Sequence, residues 1–227
     1  MIRANKGGPL GWLTARYVDW RLRRDFRGIW VRGELPASDE SLIFYGNHPG
    51  WWDGFAMHHL CVSTGRDGYC VMEEQNLARY RFLTRLGAFS IRRGDARSAV
   101  ESLGAARRLL ERPRAVVIVF PEGVLTPHAR PPLRLERGVE LLARRSGARC
   151  VPVGLRYAFF GDERPDLLIE LGQAHAPADQ ATFSAALDGV VSSVLSAQTL
   201  DGFRPSARRE RSQAAVLNED TVRRLPG

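Results

Sequence analysis

The stretch Asn47-His48-Pro49-Gly50-Trp51-Trp52-Asp53 directly follows an apolar run at 41–45. An imidazole with a carboxylate five residues on can act as a general base, oriented and charge-supported by the acid. His and Asp meet at this spacing often by chance, and a histidine capping a turn would look the same. Other side chains carry two readings each. Glu122 ends the all-apolar stretch 115–120 and can either bind substrate hydroxyls or be a charge at a strand end. Arg93 suits a phosphate, or a surface ion pair beside Arg92. Trp51 and Trp52 can line an apolar pocket or pack in the core, and the core suits at least one of them. His58 and His59 are adjacent and cannot share a helix face. With no spaced acidic or cysteine partner they read as packing residues, and no metal site is expected. His128 and His175 carry no constellation. Cys61, Cys70 and Cys150 are odd in number and form no C-x-x-C, so they read as reduced, buried thiols rather than a disulfide frame.

Whatever chemistry His48 performs depends on the elements that hold it. Runs at 41–45, 68–72, 88–91, 115–120, 150–156 and 167–171 read as strands, and 115–120 is apolar throughout, as in a strand covered on both faces. Helical patterns fall at 53–62, 75–86, 95–111, 137–145 and 179–197, with Asp95 as an N-cap. This alternation predicts an α/β domain with a mixed, largely parallel sheet flanked by helices. It also places the His48 loop after a strand and before a helix, where such folds carry their sites. Residues 8–27 form a further helix, with Pro9 in its first turn. It carries two apolar stripes: Val18, Leu22, Phe26 and Ile29 on one side, and Leu10, Leu13, Tyr17 and Trp20 on the other. Arg16, Arg23 and Arg27 project between them. One stripe can pack on the domain while the other meets lipid.

The 227 residues suit one domain with extensions: a basic amphipathic helix and lead-in at 1–32 for membrane docking, the α/β domain at 33–204, and a polar, mobile tail at 205–227. The net charge of +8 is concentrated at the ends. Residues 1–32 hold eight basic side chains against Asp19 and Asp25, and 204–227 hold six arginines against three acids, while the middle is near neutral. Basic ends suit an anionic partner, either a membrane surface or nucleic acid. The basic charge of 1–32 lies among Trp and Leu on an amphipathic helix and no nucleic-acid motif is present, so lipid is the expected partner and nucleic acid is not. A hydrophobic fraction of 44% excludes a disordered chain. No apolar run approaches the ~18 residues of a membrane span, and no signal-peptide h-region follows the start. The expected location is cytoplasmic, peripherally on the inner face of the membrane.

Four short stretches then fall into order. Asn47-His48 with Asp53 resembles the first motif of the glycerolipid acyltransferases, a His, four residues, then Asp. Gly87-Ala88-Phe89-Ser90-Ile91-Arg92-Arg93 resembles the second, Phe120-Pro121-Glu122-Gly123 matches the core of the third, and Val151-Pro152-Val153-Gly154 resembles the fourth. The resemblance spans about residues 28–175. It implies that His48 and Asp53 are catalytic, that Arg93, Glu122 and Gly123 bind substrate, and that no cofactor is needed beyond an acyl-CoA or acyl carrier protein donor. The implied reaction is direct acyl transfer from that thioester to a hydroxyl of a lysophospholipid or acylglycerol phosphate, of the 1-acylglycerol-3-phosphate acyltransferase type. No serine stands in a G-x-S-x-G elbow that would form an acyl-enzyme. The family commonly places an arginine shortly after Glu-Gly, linked to the acceptor's phosphate; Val124 and Leu125 stand here instead, which leaves the acceptor headgroup open. Arg130, Arg134 and Arg137 follow in the next loop as further cations. A non-phosphate hydroxylated lipid (glycolipid, ornithine lipid or carotenoid), a basic nucleic-acid-binding module and a catalytically dead lipid-binding relative are the competing expectations.

Overall fold

Leu42, Ile43, Phe44 and Tyr45 are all fully buried, although alternate side chains of a strand point to opposite faces. Their sheet must therefore be covered on both sides, and it is. The computed structural model describes residues 1–208. Along the chain run α1 (Gly8–Asp25), β1 (Gly28–Arg32), β2 (Leu42–Gly46), α2 (Asp53–Ser63), β3 (Asp67–Glu73), α3 (Glu74–Arg79), a 3₁₀ helix (Arg81–Leu86), β4 (Ala88–Ile91) and α4 (Ala96–Leu110). After these come β5 (Ala115–Val119), α5 (Gly138–Ser146), β6 (Arg149–Ala158), β7 (Asp166–Leu171), α6 (Gln180–Ser196) and β8 (Arg204–Arg208). The eight strands form one sheet in the order β4-β3-β5-β2-β6-β7-β1-β8. From β4 through β6 every pairing is parallel; β6–β7 and β1–β8 are antiparallel, and β7–β1 is parallel.

Alternation along the strands divides the core in two. Leu42, Phe44, Val116, Ile118, Val153 and Leu155 meet α1 and α2 through Val18, Leu22, Phe55, Met57 and Leu60. Ile43, Tyr45, Val117 and Cys150 face the other way, onto α4, α5 and α6 through Leu110, Leu142, Phe183 and Leu187. The expected mixed, largely parallel sheet with flanking helices is present, as is the N-terminal helix.

α1 has the two stripes read from its sequence. Val18, Leu22 and Phe26 are buried, whereas Leu10, Trp12, Leu13, Tyr17 and Trp20 are 51–63% exposed. Three details differ. The helix stops at Asp25, because Phe26 turns to an extended conformation, and Ile29 belongs to β1 instead. Residues 28–32, assigned by sequence to the docking segment, are thus a strand of the sheet, since β1 pairs with β7. Arg27 does not project toward solvent with Arg16 and Arg23; its guanidinium chelates the fully buried Asp166 at 2.5–3.0 Å. The helix expected over 75–86 breaks at Tyr80, whose ψ of 54° leaves the helical region, and continues as the 3₁₀ turn.

At the other end, residues 205–208 are not tail: β8 runs antiparallel to β1 with Pro205 on the sheet's edge, where a missing N–H is tolerated. The rest of the segment read as a mobile tail lies outside the described residues. The opposite edge strand, β4, is covered by the start of the chain. The Ser90 amide donates to the Ile2 carbonyl at 2.9 Å, and Asn5 N–H donates to Thr84 O at 2.9 Å. An edge shielded in this way cannot recruit another strand.

Asp166 also accepts a hydrogen bond from Trp30 Nε1 at 2.7 Å, so one buried carboxylate ties the end of α1 and β1 to β7. Asp166→Ala should leave a partly sunken guanidinium uncompensated and lower unfolding free energy by about 3 kcal/mol, read as a lower urea midpoint at unchanged slope.

Candidate active site

The chemistry gathers in the loops after β2 and β5. Asn47 leaves β2 and sends its side chain sideways to β6: its amide nitrogen donates to Leu155 O at 3.0 Å, and Leu155 N–H donates to its oxygen at 2.7 Å. Only a side chain holding one donor and one acceptor at amide spacing can make both bonds, which is the physical reason for Asn here. The next residue is thereby set at the sheet's C-terminal rim.

His48 is held on four sides. Its backbone N–H donates to Glu122 Oε1 at 3.1 Å, and its carbonyl accepts from Thr126 N–H at 2.9 Å. Its ring stacks flat on Phe120, with centroids 4.2 Å apart and planes 12° from parallel. Its Nδ1 lies 2.6 Å from Asp53 Oδ2. Because the partner is a carboxylate, Nδ1 carries the proton and Nε2 presents its lone pair, the arrangement a general base requires. Nε2 has no hydrogen-bond partner among the described residues.

Asp53 opens α2 and is fully buried. Besides His48 it accepts from Gly50 N–H at 2.8 Å and from the Tyr157 hydroxyl. The helix N-terminus favours its negative charge as well. Burial first, then the adjacent Asp53 charge, pushes the Tyr157 phenol well above its ordinary range, so it remains a donor. A Cβ on Gly50 would come within 2.9 Å of the Tyr157 ring, which fixes glycine at that position. Tyr157 was not read from the sequence. It lies one residue beyond the strand assigned at 150–156, and nothing local marks it; its proximity to Gly50 exists only in three dimensions.

A cavity of about 480 Å³ opens beside His48. His48, Phe120, Gly123, Leu125 and Arg93 line it at the C-terminal ends of the strands, while Gly68 and Ala88 line it where β3 and β4 begin. Since it touches both Gly68 and Glu73, it follows β3 for roughly 16 Å. Between these ends the walls are mostly apolar, with Phe55, Leu83, Leu86 and Ile118. Trp51 stands at the cavity and meets Tyr80 edge-on at 4.9 Å, whereas Trp52 packs in the body against Phe26, so the pair divides as one lining and one core residue.

The remaining sequence candidates separate. Arg93 reaches the cavity, half-exposed, with its nearest acid, Glu73, 4.0 Å away. Gly123 has φ +70°, and a side chain there would run into the Arg93 guanidinium, so glycine both makes the turn and leaves Arg93 its place. Glu122 turns its oxygens to the scaffold: Oε1 takes the His48 amide and Oε2 takes the Thr126 hydroxyl at 2.5 Å. It stands behind His48 as a brace and does not line the cavity. Arg130, Arg134 and Arg137 do not line it either, while Arg79, which no motif marks, does. His59 is buried and bonded to Ser206 Oγ at 2.9 Å, whereas His58 lines the cavity. Among the described residues no group of three or more His, Cys, Asp or Glu side chains stands together as a metal site.

Comparison with known proteins bears on the family and the fold. The family model described as Acyltransferase matches residues 28–156. Among curated proteins none matches the chain. In fold the chain is similar to the crystal structure of the 1-acyl-sn-glycerophosphate (LPA) acyltransferase, PlsC, from Thermotoga maritima. The TM-score is 0.61 at 14% identity, over 83% of this chain and 81% of that one.

The Tyr157 contact can be tested on its own. Tyr157→Phe keeps the ring against Gly50 and removes one donor to Asp53, so kcat should fall about tenfold with KM little changed and the melting temperature nearly unmoved.

Proposed function

The chain belongs to the acyltransferase family, and we propose that it transfers a fatty acyl chain from an acyl thioester to a hydroxyl of a lysophospholipid or acylglycerol phosphate, with His48 as general base. The observation that carries this reading is a base with a free Nε2, held by a buried carboxylate, at the mouth of a long apolar cavity with Arg93 beside it. The cavity suits an acyl chain, the cation suits the acceptor's phosphate, and the base lies where the two would meet. Likeness in fold to the 1-acyl-sn-glycerophosphate acyltransferase from Thermotoga maritima supports the same acceptor class.

In this mechanism Nε2 takes the acceptor's hydroxyl proton as its oxygen attacks the thioester carbonyl. Asp53 stabilises the imidazolium that forms. The tetrahedral intermediate collapses with cleavage of the C–S bond, and His48 returns the proton to the departing sulfur, leaving ester and thiol. No covalent acyl-enzyme forms and no cofactor takes part. The donor is acyl-CoA or acyl carrier protein.

Val124 and Leu125, each 50% exposed, favour a second reading. They offer neither charge nor hydrogen bonds where the family commonly has a phosphate-linked arginine, which suits a hydroxylated lipid without phosphate. A panel of acceptors with one acyl-CoA tests both: lysophosphatidic acid, lysophospholipids with diester headgroups, monoacylglycerol, and a lipid alcohol lacking glycerol. Phosphate-bearing acceptors should be used best and weakened in Arg93→Ala; activity confined to phosphate-free acceptors selects the second reading. In the same assay His48→Ala should lower turnover about a thousandfold, and Asp53→Asn about a hundredfold. Wild-type turnover in His48→Ala refutes the mechanism.

The exposed stripe of α1 supports peripheral docking on an anionic membrane, on its inner face. No helix among the described residues is long and apolar enough to cross a bilayer. α1 packs against the 3₁₀ helix and α2, whose residues wall the cavity, so a docked α1 holds the cavity close to its lipid substrate. Each basic side chain near an anionic surface adds about 1 kcal/mol of attraction. Replacing Leu13 and Trp20 together with alanine should release the protein from anionic vesicles in a sedimentation assay. Its melting temperature should not fall, because both side chains lie outside the core.

A further inference from the structure

His58 is anomalous in its surroundings. Its Nδ1 is one of two buried side-chain polar atoms without a hydrogen-bond partner among the described residues, the other being the Gln180 carbonyl oxygen. Among the described residues no group bonds its other ring nitrogen, and the ring lines the cavity among Phe55, Leu83, Leu86 and Ile118. Burial, with smaller contributions from Lys6 and His59, pushes the imidazole pKa down to about 4. The neutral ring then offers one N–H and one lone pair. Nδ1 has no surface a ligand could reach, so the nitrogen open to the cavity is Nε2, and a polar atom in an apolar wall is ordinarily satisfied by protein, water or ligand.

Its place in the cavity is defined by α2. Asp53, which holds the base, opens that helix, and His58 lies five residues on, about 7.5 Å farther along the axis. The helix runs from the catalytic rim toward the starts of the strands. The nearby polar groups are engaged with each other: Lys6 Nζ pairs with Asp67 and donates to the Gly68 carbonyl at 3.0 Å. A resident water needs two to four polar partners, and the shared walls supply few.

We propose that the enzyme's donor is a hydroxylated acyl thioester, whose hydroxyl, carried several carbons beyond the reacting carbonyl, hydrogen-bonds to His58. This rests on the reading of the cavity as the acyl site. A hydroxyl both donates and accepts, so it satisfies either tautomer of the ring, whereas a keto oxygen can only accept. An ionised substituent would be stranded among apolar walls.

A competition assay tests it: hexadecanoyl-CoA against hexadecanoyl-CoA isomers bearing a mid-chain hydroxyl, with one acceptor. The wild type should favour the best hydroxylated isomer about tenfold in kcat/KM. His58→Leu should bring that ratio to about one or reverse it, and His58→Gln, which keeps a donor and an acceptor, should retain part of the preference. Equal use of all chains by the wild type, or a preference that survives in folded His58→Leu, overturns the proposal while leaving the acyl cavity intact. Absence of turnover with every chain, presented on CoA and on acyl carrier protein, overturns the reading of the cavity as well. Should His58→Leu fail to fold, the wild-type ratio alone still decides.

Discussion

A carboxylate with no exposed surface organises this site. Removing Asp53 from water is unfavourable by several kcal/mol unless its lone pairs are occupied, and three donors occupy them. They come from different parts of the chain: the imidazole and the Gly50 amide from the loop after β2, and the phenol from β6. Satisfying one buried charge therefore fixes the loop's path, the start of α2 and the rotamer of His48 together. The Asn47 clamp on Leu155 and the Glu122 brace repeat the same logic on the loop's other sides. The base is rigid because every group around it would otherwise be buried without a partner.

Local patterns made much of this legible. The run Ala115-Val116-Val117-Ile118-Val119 had to be a strand covered on both faces, and the order of four short motifs pointed to the family. The two stripes of α1 were visible as spacing, and one of them is buried as expected. What escaped has a common cause. β1 is five residues long and follows α1 so closely that Ile29 completed a helical stripe in the sequence; its strand character comes from its pairing with β7 and β8. β8 contains Pro205 and arginines and reads as polar tail until β1 is set beside it. Tyr157 and Leu155 act on residues over a hundred positions earlier in the chain, a relation no local pattern contains.

Glu122 illustrates a subtler limit. Its motif was recognisable and its position near a strand end was legible, but its direction was not. A carboxylate at the rim of a sheet can face the substrate or the scaffold, and spacing is the same in both cases. Here the amide of His48 and the hydroxyl of Thr126 each take one oxygen, so the carboxylate braces the base. Arg27 shows the same ambiguity on α1, where charge implied a headgroup contact and Asp166 supplies the actual partner.

The pairing of β1 with β7 also governs the order of events during synthesis. Arg27 and Asp166 are 139 residues apart, and β8 comes later still. At ribosomal rates of ~5–20 residues per second, roughly seven to thirty seconds pass between α1 and the strand that anchors its neighbour. Until α2 and the 3₁₀ helix have followed it, Val18 and Leu22 are as bare as Trp12 and Trp20, and the nascent helix is apolar on both sides. Whatever hydrophobic surface it meets first, bilayer or chaperone, receives a segment whose inward face has yet to acquire an inside.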